Sequence, residues 1–391
     1  MYTEFRIIEA RRGSVLAQPL DGVKQESLRI AGASKYIENE VIVAEPVSGD
    51  PGVPSRWKVI ASRVDPSFIG GEAPRLAPLD VESEQHEYAF TECVSYEEGE
   101  DFEDALETLR AGHYENAACL LRAFIKRFPY HIDSYHHLGI IETDLGHRGR
   151  ALKCFEMGYR IGLRAIPENF AGRLPWIHLA NRPFLRAAHG FGLALERERR
   201  HLDAVDVYER VLRLNPDDNQ GIRFLLPRLY LEAGALAKAR AALEQHGADG
   251  MNLYTRCLLE IHDGHRWEAV RWLCRGLAYN LHLPELVLAG KGKPGSDEAS
   301  RVVMGREDEA AQYLQENRGW LRKEPRDFLR RLMDAKLFAR RLERALQLRA
   351  ALDAHDALPA GEERSDQVDE LFAIFDEDHI PEILEECRGA M

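Results

Sequence analysis

Two patterns of hydrophobic and polar positions divide the chain. Over residues 1–64, short β-branched runs stand at 5–10 (FRIIEA), 14–20 (SVLAQPL), 27–32 (SLRIAG), 41–47 (VIVAEPV) and 57–62 (WKVIAS). Turn formers separate them: Arg12-Gly13, Asp21-Gly22, Gly32 and the stretch SGDPGVP at 48–54. Runs of this length between turn signals predict strands, and five of them in so short a segment predict a small closed or half-closed β-barrel, SH3-like or OB-like. From about Asp101 the spacing changes to the three-to-four-residue recurrence of amphipathic helices. Between the two patterns, 65–100 reads as a linker, first rich in Pro and Gly and then acidic, with some helix in its acidic part.

The helices come in pairs. The first pair occupies 104–129, with Gly112 and Tyr114 at its turn, Ala117 at the close contact and Pro129 at its stop. The second runs from His131, and its Tyr135, Leu138, Gly139, Gly146, Ala151 and Phe155 keep the same phase. Ala117 and Ala151 are 34 residues apart. The third pair spans 181–223. Gly192 and Ala204 sit where its helices must touch, Tyr208 fills the seam, Pro216 stops the second helix and Asn219 is placed to cap the next. Ala151 to Ala204 is 53 residues, so an insertion is expected at about 164–179; it extends the preceding helix and then folds as a loop. A fourth pair (221–247) follows 35 residues later, from Ala204 to Ala239, with Pro227 inside its first helix, and a fifth (251–280) only 30 residues later, from Ala239 to Ala269. Beyond 280, the segment 281–305 reads as an irregular connection, 307–320 and 325–353 as two capping helices, and 354–391 as an acidic tail with a short helix at Val368–Phe375.

A 34-residue helix–turn–helix with small residues at the seam resembles the tetratricopeptide repeat, whose units bury their apolar faces by stacking. The fold class expected is therefore multidomain, a small all-β barrel followed by an all-α tetratricopeptide solenoid of about five pairs over 101–280. A narrower resemblance lies at 174–293. The runs LPW, NRPFLRAAHGFGLAL, RLNPDDNQGIRFLL and LPELVLAGKGKP are similar to the repeat region of the suppressor-of-tumorigenicity-seven family and its uncharacterised bacterial relatives. That resemblance implies a scaffold and no activity, and the chain lacks the membrane segments of the eukaryotic members.

Composition narrows the function. Apolar residues make up 45% of the 391, enough for substantial cores. No apolar run approaches the roughly 20 residues that span a bilayer, and the N-terminus does not read as a signal peptide. The six cysteines form no C-x-x-C pair and read as reduced thiols, so a cytoplasmic protein without disulfides is expected. The net charge of −13 disfavours nonspecific wrapping of nucleic acid, but it is uneven. Residues 81–104 hold ten acids and no Lys or Arg; 318–349 hold eleven Lys or Arg against four acids; 351–391 hold thirteen acids. The basic block, with the barrel, keeps open an alternative function as a nucleic-acid-associated regulator. Phe5, Tyr36 and Trp57 are too few and too scattered for an aromatic nucleic-acid platform.

No catalytic motif appears, so neither enzyme activity nor a cofactor is expected. GKGKPGSDE at 290–298 has the wrong spacing for a phosphate loop. His136, His137 and His189 invite a metal reading, but adjacent helical residues point about 100° apart and zinc-binding pairs on helices are spaced i, i+4, so no metal is expected. The candidate site is instead the groove lined by the first helix of each pair, taking a peptide or helix from a partner protein. Arg182, Arg186 and His189 come from the third pair, Asn219, Gln220 and Arg223 from the fourth, and Trp176 from the insertion. Guanidinium groups suit a peptide's carboxylates; alternatively Arg186 and Arg223 pair with helix acids or with Asp217 and Asp218 as buttresses. Trp176 is either an anchor for the ligand or a plug for the local core. The acidic tail could lie against the basic block or compete for the groove.

Overall fold

A computed structural model describes residues 2–47, 56–71, 73–79, 86–91, 94–95, 97–246, 250–290, 305–354, 362–376 and 378–388. The chain divides into two compact units, Met1–Ile222 and Arg223–Met391.

The first unit opens with strands β1 (Thr3–Arg11), β2 (Ser14–Pro19), β3 (Glu26–Ile30), β4 (Val41–Val47) and β5 (Arg56–Arg63). They close into a barrel in the order β1-β2-β3-β5-β4, antiparallel except for the β3–β5 pairing. Alternation does what it must: Phe5, Ile7, Val15, Ala17, Leu28, Ile30, Ile42 and Ala44 all point inward and are buried. Tyr36 is also buried, and Trp57 packs edge-on against Phe5 at 5.1 Å, so the three barrel aromatics belong to this core. The barrel is fixed to the helices behind it by buried polar contacts. Asn39 donates to the Tyr135 hydroxyl at 2.8 Å, and Lys153 Nζ lies 2.6 Å from the fully buried Glu40.

The stretch expected to be a linker carries structure. Asp65 caps a short 3-10 helix at Pro66–Phe68, and β6 (Leu76–Pro78) pairs antiparallel with β7 (Tyr88–Phe90). Phe90 is buried against Phe184 at 5.3 Å. One aromatic seated on a helix face outweighs a composition that by itself favours solvation.

Three helical hairpins follow: α1 (Glu100–Arg110) with α2 (Tyr114–Arg127), α3 (Ile132–Asp144) with α4 (Arg148–Ala165), and α5 (Arg182–Arg197) with α6 (His201–Leu214). The first two turn on Gly112 and Gly146, both at positive φ, while Arg199 takes that conformation in the third. The 18-residue α4 runs into the insertion, which is irregular until a 3-10 helix at Leu179–Asn181. Small residues at the seams sit against aromatic rings: a Cβ on Gly139 would meet the Phe155 ring at 2.7 Å, and one on Gly192 would overlap the ring of Tyr208, the residue expected to fill that seam. Gly192→Val should therefore destabilise the first unit by about 1–3 kcal/mol or more, as overpacking a rigid seam does. A chemical denaturation midpoint unchanged in that variant would show that Tyr208 can move aside.

The second unit comprises α7 (Ile222–Glu232, which begins at the division), α8 (Leu236–His246), α9 (Asn252–His262), α10 (Arg266–Tyr279), α11 (Leu283–Ala289), α12 (Glu307–Glu316), α13 (Lys323–Asp334), α14 (Lys336–Ala354), α15 (Glu362–Ala373) and α16 (Ile380–Cys387). Four expectations change. The cap before α7 is Asp218, whose Oδ1 accepts from Ile222 N at 2.8 Å, and not the exposed Asn219. Part of the expected irregular connection is α11, with Pro284 in its first turn and Gly290 at its left-handed end. The expected helix at 325–353 is two helices broken at the extended Ala335, a residue with no breaker chemistry; buried Leu332 and Phe338 sit on either side of the break. The tail holds two helices, α15 starting earlier than Val368. The GKGKPGSDE segment lies outside the described residues after Gly290.

The acidic tail lies on the basic block. Arg344 makes paired hydrogen bonds to Glu370 at 2.9 and 3.0 Å, Arg341 binds Glu382 at 2.7 Å, and Phe375 is buried beside Phe338. Among the described cysteines, Cys154, Cys257 and Cys274 are buried and Cys119 is exposed, all as free thiols. No described helix is long and apolar enough to cross a membrane.

One polar device occurs in both units. Glu142 on α3 is fully buried and lies 2.5 Å from Arg122 of α2, 2.9 Å from Arg150 of α4 and 2.9 Å from His147 Nδ1. Glu260 on α9 is matched by Arg240 of α8, Arg256 and His265 at 2.9, 2.9 and 3.0 Å. The spacing from arginine to glutamate is 20 residues in both cases, and from glutamate to histidine five. A glutamate near the end of a first helix thus ties the preceding second helix to its own turn.

Candidate functional site

The site forms where the first helices α1, α3 and α5 meet Pro74, Phe90, Thr91, Val94 and Ser95. Asn181, fully buried at the start of α5, holds that segment through its side chain. Its Nδ2 donates to Tyr88 O at 2.9 Å and to Pro175 O at 3.1 Å, while its Oδ1 accepts from Phe90 N at 3.2 Å. Backbone bonds from Tyr88 N to Arg173 O and from Arg173 N to His86 O add this strand to the edge of the insertion. A Cβ on Gly172 would meet Tyr88 at 2.6 Å, so the close approach needs glycine there.

Beside this strand is a cavity of about 770 Å³. Phe102 and Glu103 of α1, Asp133 of α3, Arg182 and Arg186 of α5, and Phe90 of β7 are among its walls. Arg186 Nη2 donates to Asp133 Oδ2 at 2.7 Å. Burial pushes the Asp133 carboxyl up to about 6; Arg186 opposes this and Glu103 adds to it. Arg182 donates from Nε to Trp176 O at 3.0 Å and lies over the half-buried Trp176 ring at 5.2 Å.

Arg186 also borders a second recess of about 300 Å³, with His136, His189, Arg197 and Gln220. Gln220 Nε2 donates to Leu185 O at 3.1 Å. The imidazoles here are kept neutral. Burial first, then the neighbouring His137, holds His136 at about 3 and His131 at about 4; burial and Arg186 hold His137 at about 4, and burial lowers His189. The His136 and His137 rings touch edge to face at 5.0 Å.

Of the residues singled out from sequence, the fold brings Arg182 and Arg186 to the cavity and Arg186, His189 and Gln220 to the recess. Asn219 is exposed on the turn after α6. Arg223 belongs to the second unit, its guanidinium over Phe224 at 4.4 Å. Sequence reasoning missed Asp133, Glu103 and Asn181. A signal existed for the first: Asp133 to Arg186 is 53 residues, as are His136 to His189 and Ala151 to Ala204, so these are equivalent positions of adjacent repeats.

Elsewhere, Glu260, Asp263 and His265 bring three potential metal-ligand atoms within 4.8 Å of one another. The charge there is already met: Arg240 donates to Glu260 at 2.9 Å and to Asp263 at 2.5 Å. Burial alone would raise Glu260, but hydrogen bonds from Arg240 and His265 hold it below the usual carboxylate range.

A tetratricopeptide repeat family model matches residues 195–255. No curated protein sequence matches the chain. Among the solved structures that match is one titled "Structure of Naa15/Naa10 bound to HypK-THB", with 18% identity and a TM-score of 0.32, covering 72% of this chain and 39% of that one. The chain thus spans well under half the length of that relative. The protein combines an N-terminal five-stranded barrel with tetratricopeptide-like helical hairpins, and 195–255 carries the repeat's sequence.

Proposed function

We propose that this protein is a non-enzymatic scaffold that holds a segment of a partner protein on the first-helix face of its hairpins. The observation that supports this most is the cavity of about 770 Å³ walled by α1, α3 and α5, because stacked helical repeats use that surface for ligands. Arg182 and Arg186 contact the ligand in the cavity and His189 and Gln220 in the recess; Asn219 and Trp176 complete the contact set on the first unit. The resemblance to the suppressor-of-tumorigenicity-seven family is consistent with a scaffold. Arg186→Glu is a poor probe of this surface, because it sets a second carboxylate against buried Asp133.

Position-specific crosslinking tests the surface without disturbing it. Leu179 at the cavity rim and Leu202 on α6 are both exposed, at 70% and 67%. A photo-crosslinking residue at position 179 should capture a discrete protein from the native cell, while the same residue at 202 should not. Equal capture at both positions, or none at 179, would remove the groove from consideration.

A further inference from the structure

The barrel is closed unevenly. Strand β5 pairs with β4 from Arg56 to Arg63, but with β3 only at Arg56 and Trp57. Beyond that point its outer edge is open: among the described residues, the backbone of 59–62 has no hydrogen-bond partner outside β4. An edge strand presents alternate N–H and C=O groups outward, a template for another strand. Ile60 is the extra residue of a bulge, since Ala61 faces Val43 and Val59 faces Ala44, and its side chain is 47% exposed. A cavity of about 640 Å³ runs along 59–62. Its other wall is the 3-10 turn at Ala33–Lys35 and the start of α4. That wall carries Lys35, Arg148, Arg150 and Lys153, and among the described residues no acid lines the cavity, in a chain of net charge −13. Arg150 and Lys153 bind the buried Glu142 and Glu40 and donate to the Ser34 and Lys35 carbonyls, which fixes the wall to the barrel. Lys35 and Arg148 are exposed and, among the described residues, have no acidic partner.

We propose that the open edge of β5 receives an extended acidic segment of a partner protein, which adds to the barrel as a further strand. Its backbone pairs with 59–62, and every second side chain, glutamate or aspartate, turns toward Lys35 and Arg148. Charge decides between the occupants. A second copy of this chain, pairing edge to edge, would bring two basic walls together, and like charges in contact oppose association. The bulge and the cations that guard the edge against its own kind thus select an acidic strand. A nucleic acid would meet the cations but leave the outward N–H and C=O groups without a ladder. This surface shares no residue with the cavity walled by α1, α3 and α5, and it gives the barrel a binding role of its own.

Fluorescence polarisation on the full chain tests this with three labelled octapeptides. One alternates glutamate with valine. The second has lysine for each glutamate. The third is the glutamate peptide N-methylated at its four central residues, which keeps its charge and removes the donors of a ladder. Only the first should bind. Arg148→Glu should weaken that binding about tenfold, because an attraction becomes a repulsion at a partly solvated contact. The variant should melt with wild type, since an acid is favoured in the first turn of a helix. Equal binding of the N-methylated peptide would reduce the contact to charge alone, and an unchanged affinity in Arg148→Glu would place the peptide elsewhere; either result overturns the assignment. No binding of the glutamate peptide up to about 1 mM does the same. Tighter binding of an octathymidylate would make the surface a nucleic-acid site, and a concentration-dependent dimer that the glutamate peptide dissolves would make the occupant a second copy; each would equally overturn it. Crosslinking at position 179 reads the other surface, so its outcome leaves this one untouched.

Discussion

Acidification from pH 7 to pH 4 should unfold the Met1–Ile222 unit, with stability falling from about pH 6.5 downward. His131, His136 and His137 are held neutral at about 4, 3 and 4 by burial, whereas in the unfolded chain they titrate at the ordinary 6.5. Above 6.5 the rings are neutral in both states and the fold loses nothing. Between 6.5 and about 4 the unfolded chain takes up protons that the folded one refuses, so the equilibrium moves toward unfolding. Each ring contributes up to roughly 3 kcal/mol over that window. Together they approach the whole stability of a typical domain, about 5–15 kcal/mol. His189, also lowered, acts in the same direction. Asp133 acts in the opposite one. Its folded value of about 6 lies above the ordinary 3.8, so between these two pH values the folded state takes up the proton and gains stability. One carboxyl against four imidazoles leaves the net effect destabilising. Denaturant melts at half-unit pH steps, with hydrogen exchange over 131–137 to localise the change, should show this loss. His136→Leu should flatten the slope by about one proton. A stability that stays level from pH 7 to 4.5 would mean that these rings charge freely in the folded state.

Glu142→Ala should cost the first unit about 3–5 kcal/mol, the penalty for removing one partner of a buried ion network. The carboxylate is fully buried, and two guanidinium groups from different helices converge on it, with side-chain exposures of 27% for Arg122 and 16% for Arg150. Without Glu142 these partly buried cations face each other and the turn of His147 loses its tie. Glu260→Ala should have a comparable effect on the second unit, where Arg240, Arg256 and His265 repeat the arrangement. His147→Ala is the control. Its side chain is 54% exposed, so the contact is screened and the loss should stay below about 1 kcal/mol. A Glu142→Ala protein that melts like His147→Ala would show that the arginines find water as readily as they find the carboxylate.

Much of the candidate site was written in the repeat phase. The spacing that set Gly139 opposite Phe155 and Gly192 opposite Tyr208 also set Arg186 and His189 on the same helix face as Asp133 and His136. What the phase did not reveal was that Arg186 reaches back one repeat to Asp133, because both residues are common on exposed helix faces and only burial makes the pairing necessary. Asn181 was invisible for a related reason: an asparagine before a helix reads as a cap, yet here its side chain binds the backbone of Tyr88 and Phe90, 93 and 91 residues earlier.

The sequence by itself determined the local elements. A two-residue alternation makes the five strands, a 34-residue recurrence of small and aromatic residues makes the helical hairpins, and both depend on neighbours within one or two turns of chain. Tertiary structure decided the rest: the parallel β3–β5 pairing that closes the barrel, the strand at Tyr88–Phe90 in a stretch composed like a linker, the break at Ala335, and the division of the site's charges. In each of these the deciding contact joins positions remote in sequence. Its energy comes from removing Phe90 or Phe338 from water, or, at Asp133, from the Arg186 contact that offsets the cost of burying a carboxylate, and no local pattern records either.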